Sequence, residues 1–241
     1  MDKIDIEKLP MSPEHCVKDL GKTLIVAPHA DDESLGCGGV IALLRKYNQA
    51  VYILLLSDGT LSHPNSLLYP KEKLRNLREN EILNAAKVLD VPAKNVIFCR
   101  YNDRNVPGLG STNFESALAD INKIINIINP QSIFVPWRKD PHPDHVAAYQ
   151  LVNHAETYHA KIYEYPIWLD ALGKAEDFPE INAVRPFKLD ISSILSIKQE
   201  AISAHQSQIS NLIDDDPEGF RISQVMLEEF NKPYEIFYIS K

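Results

Sequence analysis

From residue 23 to residue 165 the chain alternates short apolar runs with segments of helical period, and that alternation leaves few folds open. TLIVA (Thr23–Ala27), AVYILLLS (residues 50–57), residues 95–99, SIFV (residues 132–135) and Lys161–Tyr165 have strand length and strand character. Between them, residues 35–47, 71–89, Phe114–Ile128 and a segment from 143 to Tyr158 read as helices. In 71–89, for example, Leu74, Leu77, Ile82, Ala85, Ala86 and Leu89 recur at three- and four-residue steps. Parallel strands need a helical crossover each, so the expected fold is α/β: a Rossmann-like, doubly wound, mostly parallel sheet with helices on both faces. The last third is less regular. Residues 192–209 read as a helix, the Pro-containing stretch 166–186 as loops, and YEIFYI (residues 234–239) as a strand added at the sheet edge. One domain over residues 1–241 is expected, with a core over 20–165 and a C-terminal portion over 166–241 that completes the cleft and the sheet edge.

Composition narrows the function classes. Twenty-five Lys and Arg against 33 Asp and Glu give a formal charge of −8, which argues against a chain held on nucleic acid or anionic lipid by bulk charge. No apolar run approaches the ~18 residues of a membrane span, so no integral membrane contact is expected. The opening MDKIDIEKLP is acidic and has no apolar core of a secretory signal. Three scattered cysteines (Cys16, Cys37, Cys99) without a CxxC pair fit a reducing cytoplasm.

The first strand runs into PHADDE (residues 28–33), which puts an imidazole and three carboxylates into five consecutive residues. Crowding like charges is unfavourable unless a cation is present, and His and Asp are common ligands of a divalent ion. The fourth strand runs into PWRKDPHPDH (residues 136–145), where His142, Asp144 and His145 stand at a helix entry with Pro143 suited to its first turn. In a sheet ordered 3-2-1-4-5, strands one and four are neighbours at the point where the winding reverses. Segments more than a hundred residues apart would then pool their histidines and aspartates in one cleft. Each motif has an ordinary reading, a solvated His–acid pair or a helix start; their placement at the ends of adjacent strands favours the metal.

With these motifs in view, the chain resembles the PIG-L/LmbE family of zinc-dependent N-acetylglucosamine deacetylases, whose pattern is (P/A)HPDDE after strand one and HPDH after strand four. LRENEILNAAKVLDV (residues 77–91) and KQEAISAHQSQ (residues 198–208) resemble further family segments, and Ala30 stands where Pro is usual. Carried over position by position, the resemblance implies Zn2+ held by His29, Asp32 and His145. It implies Asp31 as general base, His142 as electrophilic or acid partner, and Asp144 as the carboxylate that orients His142 and favours its protonated form. Such a His2Asp set leaves the fourth zinc position open for water. Arg78 and Asp103 are implied as substrate contacts; by default they would be an exposed helix residue paired with Glu81 and a turn residue. The implied substrate is a small-molecule N-acetylated sugar conjugate, and a homo-oligomer is compatible with it; the cytoplasmic location is expected from the cysteines and the opening residues instead.

Among the remaining residues, Glu33 is expected to support the site through hydrogen bonds. Cys37 reads as packing, Trp137 as core or a sugar-stacking ring, and His63, His154 and His159 as surface or loop residues. His205 and Gln206 lie in a segment that would border the cleft, and Asp140 stands where some relatives carry Tyr. Three competing functions are weaker. A dinucleotide-binding oxidoreductase would use GCGG (residues 36–39), but this is not GxGxxG, and Asp31, Asp32 and Glu33 would face the pyrophosphate. A two-metal phosphoesterase needs more bridging carboxylates. A non-catalytic metal module would have no use for Asp31 and His142 beside the ligands. Another mononuclear metallohydrolase of amides or esters is the nearest alternative.

Overall fold

The computed structural model describes residues 4–157 and 159–241. The first three residues of the opening segment, and Tyr158 as an expected helix end, lie outside the described residues. In chain order the strands are β1 (Met11–Ser12), β2 (Thr23–Ala27), β3 (Val51–Ser57), β4 (Val96–Tyr101), β5 (Ser132–Pro136), β6 (Lys161–Tyr165), β7 (Val184–Asp190) and β8 (Tyr234–Ser240). The helices are α1 (Asp32–Lys46), α2 (Lys71–Val88), α3 (Phe114–Ile128), α4 (Pro143–His154), α5 (Leu169–Leu172), α6 (Leu195–Ser203), α7 (Gln206–Ile209) and α8 (Gln224–Phe230).

Among the described residues the strands form one sheet in the order β1-β7-β8-β6-β5-β2-β3-β4. The five expected strands take the 3-2-1-4-5 order: β2 pairs in parallel with β3 on one side and with β5 on the other. Successive strand residues point to opposite faces. Ile25, Ile53 and Phe134 therefore face α1 and α2, while Leu24, Val26, Leu54, Leu56, Ile133 and Val135 face α3 and α4, giving two apolar layers.

Three expectations change. The C-terminal strand is interior rather than an edge: β8 is antiparallel to both β6 and β7. The strand that displaces it from the edge, β7, falls partly in the stretch read as loop, because Pro186 punctuates it. Proline is tolerated there because β1 pairs only with Lys188 and Leu189, so no neighbour needs a donor from Pro186 on that side. Second, α1 begins at Asp32, three residues earlier than the apolar pattern indicates, so the acidic motif itself forms the helix's first turn, where anions are favoured. Third, the segment 192–209 is not one helix but a short 3-10 turn, α6 and α7, interrupted at Ala204 and His205.

The GCGG run serves packing. A Cβ on Gly36 would lie 2.4 Å from Cδ2 of Tyr165, and one on Gly39 would lie 2.6 Å from Cγ2 of Ile191, so α1 is pressed against β6 and the C-terminal elements. This close approach brings residues after position 200 over the carboxyl ends of β2 and β5. No helix among the described residues is long and apolar enough to cross a membrane.

Candidate metal centre and substrate cleft

The tight turn after β2 delivers His29, then Asp31 as the residue preceding α1, then Asp32 as its first residue. Asp31 has φ +152° and ψ −29°, a backbone conformation that a non-glycine residue adopts only when its surroundings hold it. Its amide donates to Glu33 Oε2 at 3.1 Å, its carbonyl accepts from Ser34 and Leu35, and Asp32 Oδ2 accepts the His29 amide at 2.8 Å. After β5, His142 is the N-cap of α4, its Nδ1 accepting from the Asp144 amide at 3.2 Å, and His145 follows within the first turn.

The two loops meet as their strand order requires. Asp32 Oδ2 lies 3.3 Å from His29 Nδ1 and 3.2 Å from His145 Nε2, so three candidate ligands converge on one point. His29, His142 and His145 each offer a ring nitrogen within 4.8 Å of the others. The outer nitrogens face carboxylates: His29 Nε2 is 3.1 Å from Asp144 Oδ2 and 3.5 Å from Asp103 Oδ1, and His145 Nδ1 is 3.1 Å from Asp140 Oδ1. A carboxylate behind each imidazole, orienting it toward a shared point, is the usual support of a metal-bound histidine. His145 is fully buried, and although both its ring nitrogens lie within ion-pair reach of an acid, neither makes a hydrogen bond of good geometry. The donor set and these orphaned nitrogens fit a divalent ion.

The electrostatics point the same way. Burial opposes charge on both imidazoles, but the surrounding acids outweigh it: Asp103, Asp144 and Asp32 raise His29 well above its ordinary value, and Asp32 and Asp140 raise His145 to about 9. Burial would raise Asp32, yet His145 and His29 hold its carboxyl far below the usual range. The cluster is thus a buried anionic cage that keeps two protons where one dication would serve. Asp31 behaves in the opposite way. Burial pushes it up to about 7 even though the Arg78 guanidinium stands 3.5 Å away.

Several expected roles shift once side chains are placed. The Asp144 carboxylate does not orient His142; it faces His29 and accepts the amides of Arg104 at 2.7 Å and Val106 at 3.1 Å. The charge on Asp144 does favour a proton on His142, as expected, but it is outweighed. Burial, then the charges on His29 and His145, push it down to about 4, and with Nδ1 acting as acceptor its proton sits on Nε2. Arg78 is buried and makes no pair with Glu81: it donates to the carbonyls of Gly59 at 3.2 Å and Ala30 at 3.0 Å. Glu81 instead accepts the Ser207 amide at 2.7 Å and its hydroxyl at 2.6 Å. Asp103 accepts the Leu61 amide at 2.8 Å, and His29 holds its carboxyl below the ordinary range against the effect of burial.

Glu33 supports the site as expected, bridging the Asp31 amide, the Ser34 hydroxyl and His205 Nε2. His205 is buried behind Glu33, and Gln206 is exposed. His154 and His159 are exposed, but His63 is buried in its loop, packed where Gly219 leaves room. Cys37 is buried, and Trp137 is core, its indole N–H donating to the Asp177 carbonyl.

A cleft of about 210 Å³ opens over this cluster. His29, Asp31, Asp32, Arg78, Asp103 and His142 form its polar floor, and Leu61, Trp168, Leu172, Phe220 and Met226 supply apolar wall. A C-terminal portion completing the cleft was expected, but not which of its side chains form the wall. Apart from Leu61, which follows β3, the wall residues and Gln208 come from loops and short helices of the last third, whose spacing carries no periodic signal. Asp140 was legible as an acid two residues before His142, but nothing in the sequence says which residues its two oxygens serve.

The family profile described as PIG-L, GlcNAc-PI de-N-acetylase, matches residues 24–156. A probable N-acetyl-alpha-D-glucosaminyl L-malate deacetylase 2 of Bacillus subtilis is 30% identical over 199 residues, covering 79% of this chain and 84% of that protein. The N,N'-diacetylchitobiose deacetylase of Pyrococcus horikoshii superposes with a TM-score of 0.66 at 22% identity, over 92% of this chain and 85% of that one. GalB, a 4-carboxy-2-hydroxymuconate hydratase of Pseudomonas putida, superposes with a TM-score of 0.63 at 21% identity, over 87% and 82%. These two superpositions bear on fold, and the hydratase among them means that chemistry must be argued from the site.

Proposed function

Because the chain belongs to the PIG-L family, we propose that it is a zinc-dependent hydrolase that removes the acetyl group from the amine of an N-acetylglucosamine-like conjugate. The observation that carries this reading is the convergence of His29 Nδ1 and His145 Nε2 on Asp32 Oδ2 at the floor of a cleft that Asp31 and His142 also line. His29, Asp32 and His145 would hold the ion. When bound, zinc supplies Lewis acidity, polarising the acyl oxygen and acidifying a water molecule.

The protein's own groups do the rest. Asp31, raised to about 7 by burial, takes the proton of the attacking water. Arg78 keeps this carboxylate in place and, with Asp103, borders the space for the sugar ring. As a neutral imidazole with its proton on Nε2, His142 donates a hydrogen bond to the oxyanion that develops on the acyl oxygen. It need not be protonated to do so. The proton that Asp31 has gained is then the one passed to the departing amine. Asp144 acts on the centre through His29 rather than through His142.

In this reading residues 1–241 act as one domain in the cytoplasm on a small-molecule conjugate, with residues 166–241 closing the cleft. The decisive experiment is an assay for free amine across a panel of N-acetylated sugars, with zinc and with a chelator. Amine release that the chelator abolishes is expected; zinc-loaded protein that releases no amine from any member overturns the assignment.

A further inference from the structure

Asp140 is completely buried at the entry to α4, and its two oxygens divide between two parts of the site. Oδ1 lies 3.1 Å from His145 Nδ1 and accepts the His142 amide at 3.1 Å. Oδ2 accepts the amides of Ile167 at 3.2 Å and Trp168 at 3.0 Å. The first pair belongs to the histidine segment, and the second begins the apolar wall of the cleft. In each of its three hydrogen bonds Asp140 accepts, and both oxygens are in use. Only a carboxylate can do this; an amide would turn an NH2 group against N–H donors on one side or the other.

We propose that Asp140 is a positioning residue shared by the metal centre and the substrate wall, so that loading of the ion through His145 is coupled to the placement of Trp168. The inference rests on the reading of His145 as a metal ligand. A carboxylate behind a ligating imidazole fixes the ring's tautomer and aim, and losing it weakens metal binding by about 10–100-fold. Here the same carboxylate also holds the main chain at Trp168, whose ring lines the cleft and meets Phe220 edge-on at 5.7 Å between centroids.

The test is made on the full chain by titrating Zn2+ against a chromophoric chelator and, separately, by fluorine NMR of protein labelled with fluorotryptophan. The chain has two tryptophans, and Trp137 is packed in the core against Tyr238, which makes it an internal reference. In the wild type, zinc should move the Trp168 resonance and leave that of Trp137 in place. In Asp140→Asn the zinc dissociation constant should rise by about 10–100-fold and the Trp168 response should shrink. Asp140→Glu, which keeps the charge but displaces it by a methylene, should also weaken zinc and serves if the first variant does not fold. A role confined to bracing the loop would lower the melting temperature and leave zinc affinity within about twofold of the wild type; that result, or a Trp168 resonance indifferent to zinc, overturns the proposal. A wild-type chain that takes up no zinc overturns the metal-centre reading along with it.

Discussion

Replacing Asp31 by Asn should make the metal-free protein more stable while abolishing turnover, and the gain should depend on pH in a defined way. Burial raises the Asp31 carboxyl to about 7 from an ordinary 3.8. A carboxyl whose folded-state pKa is raised adds no penalty below 3.8, where both states are protonated. Above that point the unfolded chain loses its proton first, so stability falls with pH until the folded-state carboxyl has also ionised near 7. At about 1.4 kcal/mol per pH unit, the gap of about 3 units amounts to roughly 4 kcal/mol at pH 8 and roughly 2 kcal/mol at pH 5. Asn has the shape of the neutral acid and escapes the penalty. Urea unfolding of chelator-treated protein should therefore show Asp31→Asn gaining about 4 kcal/mol over the wild type at pH 8 and about half as much at pH 5. For a chain of this size the larger figure corresponds to about 8–16 °C in melting temperature. With zinc restored, amine release should fall by at least ~100-fold. An equal gain at both pH values would refute burial as the source of the shift, and retained turnover would refute Asp31 as the base.

Four further outcomes follow from the same geometry. His145→Ala should lose zinc outright, read by metal analysis after dialysis; a stoichiometric ion in that variant would remove His145 from the ligand set. Asp144→Asn should weaken zinc by about 10–100-fold because its carboxylate faces His29, and unchanged zinc affinity with a lower turnover would restore the role toward His142. Zinc uptake should release protons, since the acids around His145 raise it to about 9 in the metal-free chain and hold His29 above its ordinary value as well. The apparent affinity should accordingly rise with pH up to about 9, measured by calorimetry in buffers of different ionisation enthalpy. Glu81→Ala strands the buried amide and hydroxyl of Ser207, so urea unfolding should show a loss of about 2–5 kcal/mol with zinc affinity unmoved.

The half of the molecule that builds the centre was readable because its signals are local. An apolar run of five residues followed by a turn can hardly be anything but a strand end, and Pro143 after His142 announces a helix start. Two such ends on neighbouring strands converge whatever the rest of the chain does. The residues after 165 were harder to read for the opposite reason. Pro186 looks like a strand breaker until one sees that β1 reaches only as far as Lys188, and YEIFYI has the same composition in the middle of a sheet as at its edge.

Residue types and spacing were thus enough to specify the parallel core, the pooling of His29, Asp32 and His145, and the family. Tertiary packing alone decided where each carboxylate points. Asp144 is next but one to His142 in the chain and yet serves His29, because the first turn of α4 aims its side chain across the crevice and presents its backbone N–H to His142. Arg78, which on an isolated helix would be a solvated cation, lies buried beside Asp31 because α2 packs over the turn that follows β2. Charge and size are written in the residue, whereas direction and depth arise only when helices close on the sheet. On direction and depth rest the proton affinity of Asp31 and the tautomer of His142.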